Sequence, residues 1–80
     1  PGTWTKWRGK TLNIFKAEEL ITHLGDKAKP GTAVMLQKSV AVKTGTCYLN
    51  LVSIQLEGGK EMDAKSFVNG HPDFMGSVLE

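Results

Sequence analysis

Eighty residues suffice for one small hydrophobic core, so residues 1–80 are read as a single domain. With 40% apolar and 22% charged residues and a mean hydropathy of −0.21, the composition is globular and excludes a disordered or fibrous chain. No apolar run nears the roughly 18 residues that cross a bilayer, and a net charge of +2 does not by itself announce a nucleic-acid binder.

The chain opens Pro1-Gly2-Thr3-Trp4, with neither Met nor a basic or apolar leader. No signal peptide is therefore expected, and the chain reads as a fragment of a longer protein. Thr3-Trp4-Thr5-Lys6-Trp7 is rich in β-formers and runs into the turn signal Arg8-Gly9-Lys10. Beyond it, Leu12 and Ile14 share one face and Asn13 takes the other, which predicts a β-hairpin around a short glycine-containing loop. Residues 17–25 stay open between one or two helical turns and a continued strand with a loop. Leu20 and Leu24 stand four apart and Gly25 sits where a helix cap would, but neither feature decides.

Pro30-Gly31 marks a turn, and residues 32–36 and 39–43 read as strands. The longest strand candidate spans 47–56, and its apolar phase changes partway. Leu49 and Leu51 share one parity, whereas Val52, Ile54 and Leu56 share the other. A β-bulge or bend near Leu51-Val52 reconciles the two halves. After a turn at Glu57-Gly58-Gly59-Lys60, Asp63 is placed to cap a short helix over 64–69, with Gly70 at its C-terminal cap. Met62 and Phe67 have the spacing of a hydrophobic staple. The expected fold is mainly β: a small antiparallel, OB-like β-barrel of five to six strands with one short C-terminal helix.

The candidate metal ligands His23, Cys47, His71 and Asp73 show no zinc spacing, and His71-Pro72-Asp73 reads as a turn with solvated side chains. Cys47, in a predicted strand, reads as a buried apolar thiol, and being the single cysteine it points to a reducing compartment. No catalytic constellation is recognisable, and neither a metal nor a cofactor is expected in this domain. Charge is uneven: eight basic and three acidic residues through Lys43, two basic and five acidic after it. On charge alone the plain reading is a mixed, solvated surface, although a basic half is compatible with an anionic partner. Trp4 and Trp7, interleaved with Lys6, Arg8 and Lys10, are the pattern closest to nucleic-acid recognition. Their opposite strand parity lets at most one face solvent. Trp4 is assigned to the core and Trp7 is left open.

Taken in order, Pro1-Gly2-Thr3-Trp4-Thr5, Leu12-Asn13-Ile14-Phe15-Lys16-Ala17, Lys29-Pro30-Gly31-Thr32 and Val40-Ala41-Val42-Lys43-Thr44-Gly45 resemble the C-terminal domain of methionyl-tRNA formyltransferases. The likeness is densest over residues 49–56 and closes with residues 59–70. It implies an OB-like module behind an N-terminal catalytic domain in the same polypeptide. That domain, absent here, would bind 10-formyltetrahydrofolate, and His71-Pro72 is only a chance echo of its His-Pro-Ser signature. The resemblance also implies initiator methionyl-tRNA as partner, a monomer and a cytoplasmic setting. Lys6, Arg8 and Lys10 are then expected to project together as the RNA face, with Lys38 and Lys43 extending it. The alternative is a structural interdomain module of another formyltransferase-containing enzyme, such as a 10-formyltetrahydrofolate dehydrogenase or a sugar or peptide formyltransferase.

Overall fold

The computed structural model describes residues 3–20, 29–36, 38–45 and 47–80, and its first turn fits the natural twist of the strands it joins. Strand β1 (Thr3–Trp7) passes through Arg8 (φ 56°) and Gly9 (φ 79°) into β2 (Lys10–Leu20), with Trp7 opposite Lys10. Positive φ at both turn residues is the type I′ geometry, whose twist matches that of the flanking strands. β2 runs past the predicted hairpin to Leu20, so residues 17–20 are strand; residues 21–25 of the open stretch lie outside the described residues.

A second turn has the type II arrangement: Pro30 follows Lys29, Gly31 has φ 95°, and Thr32 N–H donates to Lys29 O at 3.1 Å. There follow β3 (Ala33–Leu36), β4 (Ser39–Lys43), β5 (Tyr48–Leu56), a two-residue β6 (Met62–Asp63) and helix α1 (Ala64–Gly70). The sheet is antiparallel in the order β1-β2-β5-β4-β3, and β6 adds to β5. The mainly β fold with a short helix is as expected, but among the described residues no strand ladder closes the sheet into a barrel. The C-terminal tail spans the gap instead. It bridges Val78 to Thr32 beside β3, while Leu79 N–H donates to Gly31 O (2.8 Å) and Glu80 N–H to Lys6 O of β1 (3.1 Å). Gly31 is required at this crossing, because a Cβ there would lie 2.6 Å from Leu79 O.

The phase change in β5 is absorbed by two offsetting irregularities. Ile14 faces Ile54 and Ala17 faces Leu51, with Lys16 opposite Ser53 between them, so Phe15 is extra in β2 and Val52 is extra in β5. Leu12, Ile14, Leu51 and Ile54 consequently all reach one core, along with Val40, Phe67, Phe74 and Leu79. Asp63 caps α1 by accepting Ser66 N–H at 3.1 Å, as its sequence predicts. The C-terminal cap is His71 and not Gly70, which stays within the helix. Met62 packs against the core that contains Phe67, in keeping with the staple spacing.

The expected core place of Trp4 is corrected, and the open position of Trp7 is decided as buried. Trp7 is 5% exposed and Trp4 is 62% exposed. The register explains the correction, since Thr5 faces Leu12 and Thr3 faces Ile14. The parity carrying the buried Leu12 and Ile14 therefore contains Trp7, and Trp4 lies on the other face. Trp7 meets Phe67, Phe74 and His71 edge-on, with ring centroids 5.7, 5.3 and 5.7 Å away. Its indole N–H donates to Ser77 Oγ at 3.1 Å.

Leu51, 3% exposed, sits where the two irregularities meet. Leu51→Ala is expected to cost about 2–5 kcal/mol in denaturant melts; a loss under about 1 kcal/mol would contradict this placement. The two tryptophans are expected to separate in the same assay. Trp7→Ala should lose about 3–5 kcal/mol, and Trp4→Ala should stay within about 0.5 kcal/mol of the parent.

Candidate nucleic-acid interface

Strand alternation places Lys6 on the solvent face of β1, opposite Thr11 of β2. Lys10 opens β2 at the same end of the sheet. Across Thr11 from Lys6 stands Glu57, whose Oε1 accepts Thr11 N–H at 2.9 Å while its own N–H donates to Thr11 O at 2.8 Å. Arg8 goes elsewhere: it pairs with Asp73 and its guanidinium carbon lies 5.1 Å from the Trp7 ring centroid. The expected three-residue projection is thus corrected: Lys6 takes the outer face, whereas Lys10, opposite Trp7, shares the parity of Leu12 and Ile14 and, like Arg8, belongs to the other face. Arg8 folds over the face of the hairpin on which Trp7 is buried.

Lys38 and Lys43 do not join Lys6 and Lys10. Lys38 (φ 67°) lies in the β3–β4 turn. Lys43 ends β4 opposite Tyr48, its Nζ 5.0 Å from the Tyr48 ring, and Tyr48 in turn faces Leu20. That is the far end of β2 from Lys10, about 30 Å away at strand rise, in a molecule 36 Å long.

Sequence reasoning missed the neighbours that the outer face supplies. Trp4, Asn13 and Gln55 form one row across β1, β2 and β5, beside the row Lys6, Thr11 and Glu57. The irregularity in β2 turns both Phe15 and Lys16 to solvent, with Phe15 48% exposed. Phe15 was legible in part, because strict alternation already groups it with Asn13 and against Leu12 and Ile14. Lys16 was not, since its side is decided by the bulge.

The candidate ligands and the thiol stand apart. His71 stacks on Phe67 with centroids 4.3 Å apart and its Nδ1 lies 3.1 Å from Phe67 O, so it is packed and not solvated as expected. Asp73 holds Arg8. Cys47 precedes β5 in a turn, half-buried, with its N–H on Thr44 Oγ1 at 3.2 Å; β5 begins one residue later than predicted. His23 lies outside the described residues. Among the described residues no three His, Cys, Asp or Glu side chains are placed to hold a metal. None of the described helices is long and apolar enough to cross a membrane. A cleft of about 220 Å³ opens where β5 passes from β4 to β6, bordered by Ser39, Asn50, Asp63 and Lys65.

The Thr11 N–H bond holds the Glu57 carboxyl below its ordinary value, and the charges of Lys6 and Lys10 act in the same direction. A lowered carboxylate favours the folded hairpin above its unfolded pKa, and this contribution is lost as pH falls through the folded value. An NMR titration is expected to place the Glu57 midpoint below that of an unstructured glutamate, and Lys6→Ala with Lys10→Ala should raise it part of the way. A midpoint at or above the unstructured value would contradict the geometry.

Comparison with known proteins assigns the chain. The family model described as formyl transferase, C-terminal domain, matches residues 1–72. The methionyl-tRNA formyltransferase of Caldanaerobacter subterraneus subsp. tengcongensis is 34% identical over 80 residues, all of this chain and 25% of that protein. The one from Carboxydothermus hydrogenoformans is 35% identical over 82 residues, and that from Hahella chejuensis 38% over 85 residues. Each alignment covers the whole chain and 26% of the relative. The chain therefore spans about a quarter of the length of these relatives and corresponds to their C-terminal part. It belongs to the formyl transferase C-terminal domain family.

Proposed function

We propose that this chain is the non-catalytic C-terminal module of a methionyl-tRNA formyltransferase, which helps to bind and orient initiator methionyl-tRNA for N-formylation. The observation that carries this reading is similarity along the whole chain to proteins bearing that name. Half-buried Lys6 and exposed Lys16 on the outer face of the sheet, with exposed Lys10 at the hairpin end, supply cations for RNA phosphates. Arg8 adds less, because Asp73 already compensates its charge. Lys38 and Lys43 meet RNA only if it runs the length of the sheet.

The formyl donor, 10-formyltetrahydrofolate, and the transfer chemistry belong in this proposal to the N-terminal catalytic domain in the same polypeptide. The residues here do not suit the donor. The border of the cleft beside β5 has no aromatic side chain on which a pterin ring could stack. No step of the reaction is routed through this chain.

Phosphate contact predicts binding of tRNA that weakens steeply as salt is raised. Replacing Lys6 and Lys10 together by Ala is expected to flatten the slope of log affinity against log salt by up to about two. All tRNAs should be affected alike, since phosphates carry no sequence. Lys60 and Lys65, in the acidic half, should matter less. A titration of the folded chain with initiator tRNA at low and moderate salt reads all of this. Absence of binding at low salt would overturn the proposal, and a dominant effect of Lys60 and Lys65 would move the RNA face toward α1.

A further inference from the structure

The outer face of β1, β2 and β5 carries two aromatic rings that lie outside the core. Trp4 and Phe15 are 62% and 48% exposed, and neither makes a ring contact with another described aromatic side chain. Trp4 faces Asn13, so Phe15 lies diagonally across the strand pair, at a spacing of about 7–8 Å that long side chains bridge. Lys6 follows Trp4 by two residues along β1, and Lys16 adjoins Phe15, so a cation stands at each end of the aromatic pair.

We propose that Trp4 and Phe15 form a stacking platform for unpaired nucleobases of RNA, with Lys6 and Lys16 meeting the adjoining phosphates and Asn13 between the rings. The proposal rests on the RNA-binding reading above and gives it a second mode of contact, to bases and not only to backbone. Aromatic rings interleaved with cations on an open strand face suit single-stranded nucleic acid, because every base offers a π-face. A protein partner fits less well. Interface centres are depleted in Lys, whereas here lysines and the amides of Asn13 and Gln55 surround the rings. The remaining exposed large apolar residues, Met35 and Val78, lie on β3 and the C-terminal tail and do not join this face into one apolar patch.

The carboxylates of this face moderate its charge. Glu57, across Thr11 from Lys6, feels the charges of Lys6 and Lys10, and Glu61 accepts a hydrogen bond at 2.6 Å from Oγ of Ser53, the residue facing Lys16. Stacking therefore carries a larger share of affinity here than counterion release. Binding of a single strand should fall less steeply with salt than the binding of folded tRNA does.

The exposed Trp4 reports on its own site, since Trp7 is enclosed by the core. The 80-residue chain is titrated with a single-stranded oligoribonucleotide, with the same strand in a duplex, and with initiator tRNA, following tryptophan fluorescence and anisotropy. The expected result is quenching by the single strand and little by the duplex. Trp4→Ala and Phe15→Ala should each weaken single-strand binding roughly tenfold, Trp4→Phe should restore most of it, and Lys6→Ala should change the salt slope while keeping the preference for single strands. Near-UV circular dichroism of Trp7 verifies that each variant is folded.

Two results would overturn the platform. One is equal affinity for single strand and duplex, or no effect of Trp4→Ala and Phe15→Ala; salt-sensitive tRNA binding would then persist and leave the RNA-binding reading standing. The other is loss, in the same variants, of binding to the N-terminal part of the Carboxydothermus relative with RNA binding intact, which would make this face a protein interface. Conversely, single-strand binding through Trp4 without any tRNA binding would support the platform while removing its tRNA.

Discussion

Burial of the Trp7 indole against Phe67, His71 and Phe74 ties together two ends of the chain: the first strand, and the α-helix with the 3-10 turn that directly follows it. Much else follows from that one placement. It selects which parity of β1 is inside, which puts Trp4 and Lys6 outside. It gives Ser77 its indole partner and so orients the tail whose last residues bond to both edges of the sheet. It also sets a ring beneath the Arg8 guanidinium, which then reaches Asp73. In a domain this small, one large aromatic residue provides a substantial part of the buried apolar surface, and its position is correspondingly constrained.

The second constraint is the pair of extra residues, Phe15 in β2 and Val52 in β5. Each alone would shift the ladder by one and send the following side chains to the wrong face. Together they restore register, so Ala17 meets Leu51 as Ile14 meets Ile54. The cost is local pairing; the gain is a bend that lets a single sheet wrap the core. Its by-product is the outward turn of Lys16 beside Phe15, and the candidate interface uses both. Core packing and the surface are therefore coupled through the same irregularity.

Electrostatics on this surface is modest. Glu57 offsets part of the Lys6 and Lys10 charge, and Arg8 is compensated by Asp73. On the proposed RNA-binding reading, such a surface supplies local contacts more than long-range attraction. That accords with a part spanning about a quarter of its relatives. Net charge is accordingly a poor guide to a contact surface, because several cations already face an acid or a ring.

The sequence by itself determined the elements and the family. Hairpin, turn and helix-cap signals are local: Arg8-Gly9, Pro30-Gly31 and Asp63 with Ser66 act within a few residues. The break of alternation at Leu51-Val52 is equally local, and it announced the bulge. The tertiary structure alone decided which tryptophan is buried, because both parities of β1 carry one and only pairing with Leu12 and Ile14 chooses between them. It alone separated Lys43 from Lys10 and turned Arg8 toward Asp73, since those positions depend on strand order and on a residue 65 places away in the chain. It alone left the sheet open and laid the tail across its edges. Turns and caps are written in neighbouring residues, whereas sides, distances and partners arise from contacts between residues far apart in sequence, which no local pattern encodes.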